Sequence, residues 1–174
     1  DEDGVRGMTS NPTIFQKAIS GSRDYDESVR KWLAKGIRDD RELFFHLAME
    51  DISAAADLLR PVYQSTGGRD GYVSIEVSPD LAYDTEKTIA EAKHLFSTIG
   101  KKNILIKVPA TPQGVPAIQK LISDGVNVNV TLLFSVKRYE EIAAAYVQGL
   151  ENRTARGQSI QEIASVASFF VSRV

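Results

Sequence analysis

Short apolar, β-branched runs alternate along this chain with longer stretches that carry apolar residues at helical spacing. The runs fall at residues 5–10, 72–77, 103–108, 126–134 and 166–172, most of them bounded by Gly, Pro, Asn or Asp. The intervening segments read as helices. One begins at Pro12 and a second covers residues 25–34; a long amphipathic one at 40–64 carries Leu43, Leu47 and Ile52 with Ala54 to Ala56. Gly67-Gly68 is placed to stop that helix. Residues 84–98, 114–123 and 136–152, rich in Ala, Glu, Lys and Leu, predict three more. Strands that alternate with helices imply βαβ units and a parallel sheet. There is no repeat, linker or low-complexity segment.

Five βα units fit either an open doubly wound sheet or part of a (β/α)8 barrel, which normally takes about 250 residues. The end of the chain favours the barrel. Residues 166–174 read as a buried strand with no helix after it, which would leave one sheet face uncovered in a complete protein. The start, Asp1-Glu2-Asp3-Gly4, has neither an initiator methionine nor a signal-peptide pattern and looks like a cut end. The expectation is therefore an α/β chain of the (β/α)8 TIM-barrel class, present as an incomplete barrel of about five βα units. It would form a single domain over residues 1–174, truncated at both ends.

Chemistry is best sought where a polar side chain interrupts a strand that otherwise reads as buried, because burying it without a partner costs about 2–7 kcal/mol. Lys107 does so near the carboxyl end of Ile104-Leu105-Ile106-Lys107-Val108, the end at which parallel α/β proteins place active sites. Desolvation disfavours the ammonium and would raise the fraction of free amine able to attack a carbonyl. A solvated lysine at a strand end, or a charge guarding an exposed edge, fits the same pattern. In Val73-Ser74-Ile75-Glu76-Val77, alternation puts Ser74 and Glu76 on one face and the apolar residues on the other. Val126 to Thr131 repeats this with Asn127, Asn129 and Thr131 in register, which points to a lined site or to a strand with one wet face.

Composition narrows the alternatives. The 174 residues carry a formal charge of −2 from 21 basic and 23 acidic side chains intermixed along the chain, so no face is built for nucleic acid or an anionic membrane. With no cysteine, thiolate chemistry and cysteine-ligated zinc are out, and a reducing cytosol is compatible. No apolar run is long enough to span a bilayer. Asn11 before Pro12 is explained by helix capping. His46 and Glu50, one turn apart, are a weak metal pair, and no metal is assigned; His94 reads as solvated, and no Ser-His-Asp set can be argued. Phosphate-loop glycine motifs are absent, and Gly67 to Gly71 precedes a strand rather than following one.

Five segments, GMTSNPTIF (7–15), VSIEVSPDLAYDTEKTIAEA (73–92), ILIKVPAT (104–111), NVNVTLLFS (127–135) and VASFFVSRV (166–174), resemble the transaldolase family in order and spacing. The resemblance implies that Lys107 is the Schiff-base lysine and that Glu76 and Thr131 hold and activate a catalytic water. It implies too that Asn11 and Asn129 bind sugar hydroxyls, that Ser168 and Arg173 bind the substrate phosphate, and that Phe170, on the strand face of Ser168, shapes the pocket wall. The implied reaction moves a dihydroxyacetone unit from fructose 6-phosphate or sedoheptulose 7-phosphate to an aldose phosphate, with no cofactor, in a cytoplasmic enzyme that forms a homodimer. The family's acid/base aspartate would lie upstream of the matched residues, so Asp1 and Asp3 do not take its role, and residues 1–174 alone are expected not to turn over. A fructose-6-phosphate aldolase with the same lysine, and a non-catalytic binding protein with a structural lysine, stand as alternatives.

Overall fold

The computed structural model describes residues 4–173, so the readings that touch Asp1, Asp3 and Val174 lie outside the described residues. In chain order the elements are β1 (Met8–Thr9), α1 (Pro12–Gly21), α2 (Asp26–Ala34), α3 (Asp40–Ser65), β2 (Val73–Glu76), α4 (Thr85–Ile99), β3 (Ile104–Pro109), α5 (Gly114–Asp124), β4 (Val128–Leu133), α6 (Val136–Ala155) and β5 (Ser165–Phe169). The chain divides into two compact units, the first ending at Val73 and the second beginning at Ser74.

In the first unit, Asn11 caps α1 by accepting the Ile14 N–H at 2.9 Å, and Pro12 opens the helix with its fixed φ. Helices α2 and α3 pair through Trp32, which stacks on His46 with ring centroids 3.8 Å apart and donates Nε1–H to Glu50 at 3.1 Å. Lys31 reaches the same Glu50 oxygen at 2.6 Å. The His46 and Glu50 side chains are thus engaged in joining two helices. Tyr25 adds a second tie, donating to Asp51 Oδ2 at 2.6 Å, a hydrogen bond that pushes its phenol up to about 12. Of the apolar run at 5–10 only Met8 and Thr9 are strand; the Met8 N–H bonds Tyr72 O at 2.9 Å, beside the start of β2.

The second unit carries the rest of the sheet. Strand order is β1-β2-β3-β4-β5, each strand beside the one before it. A doubly wound sheet reverses its order at a switch point, whereas a barrel does not, so the sequential parallel order identifies part of a (β/α)8 barrel. The register pairs Lys107 with Asn129 and Pro109 with Thr131, then Asn129 with Val166. All six residues of β3 are buried, as a strand covered on both faces requires. The apolar set Ile75, Ile104, Ile106, Val108, Val128 and Val130 is at most 2% exposed; α4 and α5 pack on β3, α5 packs on β4 as well, and α6 packs on α5. Gly149 lies in the middle of α6, where it weakens the helix by about 1 kcal/mol relative to Ala. A Cβ there would come within 2.8 Å of Gln119 O and 2.9 Å of Ile122, so the missing side chain is what lets α5 and α6 pack so closely.

The apolar runs overestimate strand length. Residues 166–172 read as one strand, but β5 stops at Phe169 and Val171–Arg173 form a 3-10 turn, with Arg173 N–H donating to Phe170 O at 3.0 Å. Its partner β4 ends at Leu133, which accepts the Phe170 N–H at 3.0 Å, so no ladder remains for the later residues. Phe170 therefore lies past the strand, and its face is not set by alternation from Ser168.

At the far end of α5 an acidic residue, Asp124, occupies the last helical position, where the helix dipole disfavours it. Cations offset this: Lys120 Nζ lies 2.8 Å away, Arg156 Nη1 3.5 Å, and Lys93 is in ion-pair contact. Burial alone would raise the carboxyl, but the hydrogen bonds and charges of Lys120 and Lys93 outweigh it and hold the group below its usual 3.8. A folded-state value below the unfolded one contributes stability that is present above pH 3.8 and is lost as pH falls through the folded value. Asp124→Asn is therefore expected to lower stability near neutrality and to converge with the parent in acid. Urea unfolding as a function of pH reads this out, and parallel curves for the two proteins would contradict it.

None of the described helices is long and apolar enough to cross a membrane.

Candidate active site

The centre of the site follows from two neighbouring strands. Val77 N–H donates to Lys107 O at 3.2 Å, which sets β2 against β3 so that Glu76 and Lys107 lie side by side. Lys107 Nζ donates to Glu76 Oε2 at 3.1 Å, with the two side chains only 10% and 16% exposed. A lysine that is 8% exposed overall is neither a solvated strand end nor an edge guard. Its burial makes a charged partner obligatory, and Glu76 supplies one.

The polar face continues across β4 and β5. Asn129, the register partner of Lys107, donates Nδ2–H to Ser74 Oγ at 3.1 Å and accepts from Ser168 Oγ at 2.8 Å. Ser74 is on β2 and Asn129 on β4, two strands apart, a distance of roughly 9.6 Å between backbones in a flat sheet. Two short side chains bridge it because the sheet curves toward this face, as the inner face of a barrel does. Asn127 and Asn129 are 3% and 5% exposed and Thr131 is 4% exposed, so the wet-face alternative for β4 fails. Asn127 is structural: its Nδ2 donates to Lys102 O at 3.0 Å and Ile104 O at 3.2 Å, and its Oδ1 accepts the Ala164 N–H at 2.9 Å.

Thr131 lies opposite Pro109, one register step beyond Lys107 on its own face. The next residue, Leu132, has φ +58, a left-handed conformation that costs an L side chain roughly 1–2 kcal/mol. It forms part of a bulge between Val130 and Leu133, a device that ends regular pairing and turns the strand. Thr131 stays buried while Leu132 is 43% exposed.

Two loops brace the strand ends. After β3, the Thr111 hydroxyl donates to Ala82 O at 2.5 Å and accepts the Gly114 N–H at 2.9 Å, while Thr85 Oγ donates to Gln113 O at 2.8 Å. These bonds stitch the loop after β2 to the loop after β3. A Cβ on Gly114 would fall 2.0 Å from Pro109 O, so only glycine allows the chain to turn back this tightly behind Lys107.

The structure thus brings Lys107, Glu76, Asn129 and Ser168 together on one face, with Thr131 next along it. Phe170 and Arg173 group separately after β5: the Arg173 guanidinium lies 5.4 Å from the Phe170 ring, which packs on Phe134 at 5.3 Å. Asn11 belongs to the first unit, where its oxygen caps α1. Sequence reading left Ser74 and Thr111 unassigned; the alternation that put Ser74 on the face of Glu76 was the available signal for the first, and loop hydrogen bonding left none for the second. Among the described residues, no group of three or more His, Asp or Glu is placed to hold a metal ion.

Sequential parallel βα units with a buried lysine paired to a carboxylate on their polar inner face define a barrel-type protein of the lysine-bearing class. The comparisons make the family explicit. Residues 1–174 match the family described as Transaldolase/Fructose-6-phosphate aldolase. The chain is 52% identical over 171 residues to a transaldolase of Trichodesmium erythraeum, covering 98% of this chain and 45% of that protein. It is 49% identical over 174 residues to transaldolase 2 of Nostoc punctiforme, covering all of this chain and 45% of that one. A transaldolase of Saccharopolyspora erythraea is 51% identical over 170 residues, covering 98% of this chain and 46% of its own length. The chain belongs to the transaldolase/fructose-6-phosphate aldolase family, and it spans slightly under half the length of these relatives.

Proposed function

We propose that the protein is a transaldolase that moves a dihydroxyacetone unit from a ketose phosphate to an aldose phosphate through a Schiff base on Lys107. The observation that carries this is the buried Lys107 Nζ, 3.1 Å from Glu76 Oε2. Lys107 passes an ammonium proton to Glu76 and adds as the amine to the ketose C2 carbonyl; Glu76, through a water shared with Thr131, then delivers that proton to the carbinolamine hydroxyl, which leaves as water. The iminium then takes up the electron pair of the C3–C4 bond as the C4 hydroxyl gives up its proton and the aldehyde leaves. The base for that proton is the upstream aspartate that the family resemblance implies. The enamine adds to the acceptor aldehyde, and hydrolysis returns Lys107.

Asn129 and Asn11 are proposed to hold sugar hydroxyls, Arg173 to bind the phosphate, and Phe170 to form the pocket wall; Ser168, the second phosphate ligand that the family resemblance implies, gives its hydroxyl proton to Asn129 Oδ1 and is proposed to hold that amide instead. An arginine fork matches phosphate oxygens, which supports the role of Arg173. The polar character of the face around Asn129 supports its role; Asn11, a homodimer and a cytoplasmic location rest on the family resemblance. Relatives named transaldolase favour group transfer over the aldolase that shares the family name.

The test is intact-mass measurement of the full-length protein incubated with fructose 6-phosphate and sodium borohydride, beside Lys107→Ala. A reduced dihydroxyacetone adduct on the parent and none on the variant is expected. No adduct on either protein would overturn the Schiff base and leave a binding protein. An adduct together with free dihydroxyacetone and no product from erythrose 4-phosphate would identify the aldolase.

A further inference from the structure

We propose that Ser74 is a positioning residue, which orients Asn129 for the sugar without touching it. The inference rests on the role given to Asn129 above. Ser74 is 3% exposed and sits on β2 two residues before Glu76, facing the same way. Its Oγ takes one Nδ2 proton of Asn129 at 3.1 Å, while Ser168 Oγ donates to Oδ1 at 2.8 Å. The amide is therefore held from both sides, by β2 and by β5, in the register step occupied by Lys107.

That arrangement has a chemical consequence. A primary amide has two donors and one acceptor oxygen, and its two ends differ only by a rotation about χ2. With both serines in place, the amide plane is fixed, and one Nδ2 proton is left for a hydroxyl on the ligand. Without Ser74 the amide is restrained at Oδ1 alone and rotates away from that plane. Ser168 cannot do this work by itself, because a single hydrogen bond leaves the torsion free. The bridge also runs from β4 to β2, so Ser74 acts on Asn129 across the strand that carries Lys107.

The experiment is a double-mutant cycle in the full-length protein with fructose 6-phosphate and erythrose 4-phosphate: Ser74→Ala, Asn129→Ala, and both together. Ser74→Ala is expected to lower kcat by about tenfold to a hundredfold, the scale of a small misplacement of a substrate contact, with KM for the ketose changed much less. In the Asn129→Ala background the same change is expected to do almost nothing, since its target is gone. Borohydride trapping at Lys107 is expected to persist in every variant. Equal losses in the two backgrounds, or unchanged kcat in Ser74→Ala, would overturn the positioning role. Absence of trapping in the parent would instead overturn the Schiff-base function on which it depends. Should Ser74→Ala fail to fold, Ser74→Thr, which keeps the hydroxyl, is compared with Ser74→Val, its near-isostere without one. Retained kcat in the first and a loss in the second supports the proposal, and equal kcat in both refutes it.

Discussion

Exchanging Lys107 for methionine is expected to lower turnover by on the order of 10⁴-fold or more, the scale on which enzymes lose activity with their nucleophile. Methionine keeps the length and apolar stem of the side chain and removes the amine, so the pocket stays filled while the covalent route is closed. The change also strips Glu76 of its partner. Breaking a fully buried ion pair costs roughly 3–5 kcal/mol, and the loss here should be smaller because the Glu76 side chain keeps 16% of its exposure and so some contact with water. Adding Glu76→Gln removes the stranded charge, so the double variant should recover stability and gain no activity. Steady-state kinetics and urea unfolding of the three proteins separate the two effects. Turnover of Lys107→Met within tenfold of the parent would sink the assignment of Lys107 as nucleophile.

Asn127→Ala should be the most damaging change to stability, with a loss of about 3–5 kcal/mol and no direct effect on chemistry. Asn127 is 3% exposed, and its amide satisfies the carbonyls of Lys102 and Ile104 as well as the N–H of Ala164. Truncation removes three hydrogen bonds from a site with little water, where a backbone group that loses its partner costs about 1–3 kcal/mol. It also unties the entry of β3 and the entry of β5 from β4. Asn127→Asp should be at least as severe, because a carboxylate accepts hydrogen bonds and has no proton to donate to either carbonyl. Chemical denaturation of the full-length protein measures both; a loss below about 1 kcal/mol for Asn127→Ala would mean that backbone relaxation or water replaces the amide.

Local rules carried much of the fold. The βα alternation, the Asn11-Pro12 helix start and the break after α3 at Gly67-Gly68 are written in residue types with strong backbone preferences, and they appear in the structure where the chain predicts them. Helices were placed more closely than strands. A helix closes its hydrogen bonds within itself, so its ends follow local caps, whereas a strand lasts only as long as its neighbour does. Hence the run at 166–172 yields a strand that ends at Phe169, where β4 gives out, and the run at 5–10 yields two paired residues. Alternation in β2 and β4 did identify the polar face, because period two is a property of the extended backbone whatever lies beside it.

The roles of the residues on that face were decided elsewhere. Asn127 and Asn129 are equivalent in the sequence pattern, two positions apart among valines, yet one ties strand entries together and the other is held by two serines beside Lys107. Lys107 reads equally well as an edge charge until Glu76, 31 positions away, is found 3.1 Å from its amine. By itself the sequence determined which backbone conformations were favoured, which strand faces were polar, and the family. Tertiary structure alone decided which polar groups were buried together and what each was bonded to. The physical reason is that periodicity is encoded residue by residue, whereas a buried hydrogen bond or ion pair needs two groups brought together by the curvature and register of strands far apart in the chain.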